Sequence, residues 1–164
     1  MLNKTTAMIV LVGCLVNSNA FSMPDEKISV LKRVNSITEK LLIIAQERHE
    51  LSQKGVNNFD DSSIELLIQK ENNLDVLSHL AAVVWANSNP GRFEDHVVDD
   101  VMNNTWTMCI GRIEKIGGDA AIRILQSIPN EYPIDGGASE TLNDALEHLK
   151  SKKHSKAGSF KDKK

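Results

Sequence analysis

The chain has 164 residues, 41% of them apolar and 25% charged, with a formal net charge of -3, 4% aromatic residues and two cysteines. These proportions suit one globular domain and exclude a collagen-like chain, a fully disordered one and a disulfide-framed miniprotein. No apolar run approaches the roughly 20 residues that span a bilayer.

In chain order, the first element is an address. Lys4 is followed by an apolar or small run from Ala7 to Val16 and a small-residue exit at Ser18-Asn19-Ala20. A cation, a short apolar run and small residues at a cleavage point are the parts of a secretory signal, here predicted to be cut after Ala20. Leu11-Val12-Gly13-Cys14 also resembles the bacterial lipoprotein box, which would make a lipidated Cys14 the mature start. Set against that reading, the apolar run continues through Leu15-Val16. Cleavage at Ala20 leaves a single thiol, Cys109, so a core and not a disulfide must stabilise the body. Placed between Met108 and Ile110, Cys109 reads as a small buried apolar residue.

Residues 21–149 read as one all-α domain of about five helices, packed as stacked antiparallel hairpins in a bundle or short solenoid. The first opens at Pro24-Asp25-Glu26, where proline and carboxylates favour a helix start. Its stripe is Ile28, Leu31, Val34, Leu41 and Ala45, and Lys54-Gly55 stops it. After the polar stretch 55–62, Ser62 and Glu65 match a capping box and predict a second helix to about Ala86. Ile64, Leu67, Ile68, Leu74, Leu77, Leu80, Ala81, Val84 and Trp85 form its stripe, and Asn89-Pro90-Gly91 breaks it. A third helix spans about Phe93 to Ile116, with Val97, Val98, Val101, Met108, Cys109, Ile113 and Ile116 inside. A short fourth starts at Asp119 with Ile122, Leu125 and Ile128. Pro129 to Gly137 is predicted as a loop, and a fifth helix carries Leu142, Ala145, Leu146 and Leu149.

Charge is divided along the chain. Residues 21–149 hold 21 Asp and Glu against 11 Lys and Arg, a balance of -10. Residues 150–164 hold seven lysines and one aspartate, a balance of +6. This tail has too little apolar surface to offset its ordering entropy, so the sequence predicts disorder there.

One segment resembles a known family. Cys109 to Ile128, with Ile116-Gly117, Asp119-Ala120-Ala121 and Ile124-Leu125, is similar to the helix-turn-helix unit of HEAT-like repeats. A weaker echo follows at Gly136-Gly137 and Leu142 to Leu146. The resemblance implies stacked helical pairs, whose extended faces bind partners.

Catalytic signatures are not evident. Asp75 with His79, and His96 with Asp99 and Asp100, have helical spacing that could chelate an ion, but zinc normally needs three or four protein ligands. No HExxH, Gly-x-Ser-x-Gly, P-loop or dinucleotide fingerprint occurs. Neither a cofactor nor a metal is predicted. Asn103-Asn104-Thr105 matches a glycosylation acceptor, but it falls inside a predicted helix.

The densest charged feature of the body is Glu94, Asp95, Asp99 and Asp100 around His96. Carboxylates at Glu94 and Asp95 suit a helix N-terminus; Asp99 and Asp100 lie deeper, where the dipole helps less. Their mutual repulsion suggests a face for a basic protein partner; a solvated face that favours the helix dipole is the alternative. Tyr132, the only tyrosine, lies in the predicted Pro129 to Gly137 loop and is the expected second contact, because tyrosine is enriched in binding hot spots. Its alternative role is to cover the helical core. The sequence thus predicts an exported, non-enzymatic binding protein with no nucleic-acid partner and no membrane span. By analogy with small exported helical immunity proteins, the partner expected is a periplasm-targeted toxin such as a cell-wall amidase. An envelope or lipoprotein scaffold, or an enzyme or metal-binding protein with an unrecognised site, are the alternatives.

Overall fold

The computed structural model describes residues 24–88, 96–134 and 136–158, the last five of these by their backbone alone. The proposed signal, Cys14, Glu94, Asp95 and the end of the lysine tail lie outside the described residues. Among the described residues the chain is all-helical, with six helices and no strand: α1 (Asp25–Ser52), α2 (Ser62–Gln69), α3 (Leu74–Asn87), α4 (His96–Ile116), α5 (Gly118–Glu131) and α6 (Gly136–Gly158).

The first helix buries Val30, Val34, Thr38, Leu41, Ala45 and Arg48, at steps of three and four that keep one face inward. Thr38 fits this apolar stripe because its hydroxyl donates to Val34 O at 2.9 Å. The α1 stripe is therefore shifted from the one predicted, since Ile28 and Leu31 are only half-buried.

The single second helix of the sequence reading is two helices. Glu71 breaks it: its Oε1 accepts from the backbone N–H groups of Asn72 at 2.8 Å and Asn73 at 2.7 Å. Asn73 Oδ1 then caps α3 by accepting from Asp75 N and Val76 N. At the start of α2 the predicted Ser62–Glu65 capping box is not used. Asp60 instead accepts from Ser62 N at 3.0 Å and from Ser62 Oγ at 2.6 Å, and these bonds hold its carboxyl below the usual carboxylate range.

Helix α4 is the axis, touching α1, α2, α3, α5 and α6. It buries Val101, Met102, Thr105, Trp106, Cys109, Ile110 and Ile113, a wider face than the predicted stripe, because helices close on it from several sides. Gly117, with φ of 72°, turns the chain into α5; a left-handed residue is where glycine carries no steric penalty. Pro129 does not open a loop as predicted. It lies in the last turn of α5, which runs on to Glu131, leaving only 132–135 between α5 and α6. Helix α6 buries Leu142, Ala145 and Leu149 and continues past the predicted domain end at Leu149 to Gly158.

Candidate functional site

Five neighbouring bodies leave α4 one open strip. Asp100, Asn104, Thr107, Gly111 and Glu114 recur at steps of four, three, four and three, so they share one face. Asp100, Thr107 and Gly111 are exposed, and Asn104 and Glu114 half-buried; His96, Asn103 and Lys115 of α4 are exposed beside them. A concavity flanks each end of the strip.

The first is a cavity of about 230 Å³ against the 57–61 loop, lined by Arg48, Asn57, Phe59, Asp61, Asp100 and Asn104. Its wall is fixed by the buried guanidinium of Arg48, which donates to Asp61 Oδ1 at 2.8 Å and to Asp60 O at 2.7 Å and lies 5.5 Å from the Phe59 ring centroid. Asn104 Nδ2 donates to Asp61 Oδ2 at 2.8 Å. Both oxygens of Asp61 are thus used, and the loop is tied to α1 and α4 together.

The second is a groove of about 690 Å³ between α4 and α6. Ile110 and Ala145, both buried, lie at its floor. Glu114 from α4 and Asp144 and Glu147 from α6 contribute carboxylates, and His148 Nδ1 pairs with Glu114. Thr107, Gly111, Thr141 and Ser151 complete the lining, which contains no lysine or arginine.

Of the four carboxylates predicted as a partner face, Asp99 is half-buried and Asp100 is exposed on the strip. Tyr132 packs with the two tryptophans. Its ring is half-buried 6.1 Å from that of Trp85, its hydroxyl accepts from Trp106 Nε1 at 3.3 Å, and Trp85 Nε1 donates to Pro133 O at 2.8 Å. Burial pushes the Tyr132 hydroxyl up to about 12, ahead of the smaller opposing effect of the Trp106 hydrogen bond. This is the core-covering role that the sequence left as its alternative. Cys109 is fully enclosed, and burial pushes its thiol up, which opposes nucleophilic chemistry.

The His79 ring faces the Asp75 backbone carbonyl at 2.7 Å, and no group of three or more metal-ligating residues occurs among the described residues. Sequence reasoning missed Asn104, Gly111, Glu114, Asp144 and Glu147. The helical spacing from Asp100 to Glu114 was a readable signal for the strip; the pairing of α4 with α6 was not. Compared with known protein families, curated proteins and solved structures, the chain has no match.

Proposed function

We propose that the chain is an exported helical binding protein of the periplasm of a Gram-negative bacterium, which occludes a basic protein partner and performs no catalysis. The most specific form of this reading is an immunity protein that neutralises a toxin delivered to the periplasm, such as a cell-wall amidase. The observation that carries it is the open strip of α4, which places Asp100 at one concavity and Glu114 at the other. An exposed polar strip edged by carboxylates attracts and orients a basic surface. The order of residues 1–20 supports export, and the HEAT-like hairpin at 109–128 supports a partner-binding face.

The test starts from the neighbouring gene. Its product, directed to the periplasm, should be toxic alone and harmless when this chain is co-expressed. With that product purified, Asp100→Lys should slow association and flatten its salt dependence while helical content is unchanged. Toxicity untouched by co-expression would overturn the reading; association with the same rate and salt response in the variant would remove Asp100 from the contact face.

A further inference from the structure

The α4–α6 groove contains a residue that neither the backbone nor the packing requires. Gly111 lies within α4, its φ is not in the left-handed region, and a Cβ built on it meets nothing within 4 Å. A glycine inside a helix weakens that helix relative to alanine. The usual structural reasons for it, a turn or a close approach of another segment of this chain, are absent among the described residues. The bare backbone at Gly111 instead keeps the groove open midway between Thr107 and Glu114.

Charge identifies what would enter. Carboxylates stand on both helices, Glu114 on α4 and Asp144 and Glu147 on α6, and the basic member of the lining, His148, is already held by Glu114. Ile110 and Ala145, both buried, form the floor beneath them. We infer that this groove seats a lysine- or arginine-bearing segment of a protein partner, which meets α4 at Gly111 while its cations pair with Asp144, Glu147 and Glu114. The inference rests on the proposed reading of the chain as a binder of a basic protein, and it moves the main contact from the Asp99–Asp100 end of α4 to the α4–α6 groove. An approach over glycine removes the side chain that would otherwise hold the partner backbone away, and carboxylates on two walls fix its register. The stability lost at Gly111 is then a trade for binding.

The experiment uses the full-length chain labelled with ¹⁵N and a short peptide alternating lysine with alanine, with a glutamate–alanine peptide as control. Saturable amide shifts should centre on Thr107, Gly111, Thr141 and Ser151 at low salt and vanish at high salt. Gly111→Leu should remain folded and lower the affinity about tenfold. Asp144→Asn with Glu147→Gln, both at exposed positions, should lower it at least about fivefold and keeps the test decisive if the leucine variant does not fold. Three outcomes overturn the groove: no saturable shift, the same shifts with the glutamate peptide, or unaltered affinity in a folded Gly111→Leu. Shifts centred on Asp100 also overturn it while leaving the proposed function standing. Binding in the groove combined with toxicity untouched by co-expression would leave the groove standing and overturn the proposed function.

Discussion

Arg33 Nη2 lies 2.7 Å from Oε2 of Glu71, joining α1 to the break between α2 and α3. The pair is lopsided: the Arg33 side chain is 53% exposed, whereas that of Glu71 is 3% exposed. Glu71 also holds Asn72 N and Asn73 N through Oε1, and its backbone carbonyl accepts from Arg112 Nε of α4 at 2.9 Å. One residue therefore ends α2, prepares the cap of α3 and fastens both to α1 and α4.

Glu71→Ala should be among the most damaging single changes in the protein. It strips two part-buried backbone donors of a charged acceptor, at a cost of about 2 kcal/mol. Arg33→Ala leaves the carboxylate with its two backbone donors and should cost about 1 kcal/mol or less, as expected for a partner in contact with solvent. Urea unfolding of both variants and of the double variant measures the difference; equal losses would contradict the asymmetry.

Alkaline pH should act on the aromatic group through Tyr132. Its hydroxyl ionises near 10 when the chain is unfolded and is pushed up to about 12 in the fold. Between those values the unfolded chain has lost a proton that the folded one keeps, so stability falls as pH rises through this window and this contribution is constant below it. Melting curves across the window should show the loss in the native protein and a smaller one in Tyr132→Phe. Coincident curves would show that Tyr132 titrates as freely as an exposed phenol.

Cys109 should resist alkylation while the protein is folded. The thiol is fully buried and pushed up from its ordinary value, so little thiolate exists and no reagent reaches it. Mass analysis of the Cys109 peptide should show labelling that appears only with denaturant. Rapid labelling in buffer would mean that α4 opens locally.

A chain ended after Leu149 should keep its melting temperature within a few degrees. Among the described side chains the last inward one on α6 is Leu149, at 5% exposure; Lys150 to Lys153 are exposed. Truncation removes the pair between Lys153 Nζ and Asp119 Oδ1 at 2.8 Å, on a surface where solvent and salt screen it. A large drop would place the lysine segment within the cooperative fold.

Periodicity exposed the helical class and most of the inward residues, since Val34, Leu41, Ile68, Leu80, Cys109 and Leu125 follow helical spacing and are buried. It missed Met102, Trp106 and Ile110, because a one-sided stripe does not anticipate a helix covered from several directions. The break at Glu71 escaped because the apolar spacing runs on from Ile68 to Leu74 and outweighed Asn72-Asn73, a cap-favouring pair; the hydrogen bonds of Glu71 and Asn73 end the helix there. Pro129 misled for a related reason. Proline removes a helix donor, yet the turn survives with Tyr132 N bonded to Ile128 O. Of the candidate site, Asp100 was legible as charge; the groove was not, since its two walls lie more than one helix apart in sequence.

The position of α4 also bears on the order in which the protein can assemble. A chain made from its N-terminus releases α1, α2 and α3 before the helix against which all three pack. Until Ile116 has emerged, the surfaces of Leu41, Ile64, Leu77 and Leu80 have only one another to shelter against, and a chaperone or an unfolded passage through a membrane would find them open. Once α4 is in place the reverse holds: opening it exposes every neighbouring helix at once. Its amides should be among the last in the molecule to exchange with deuterated water.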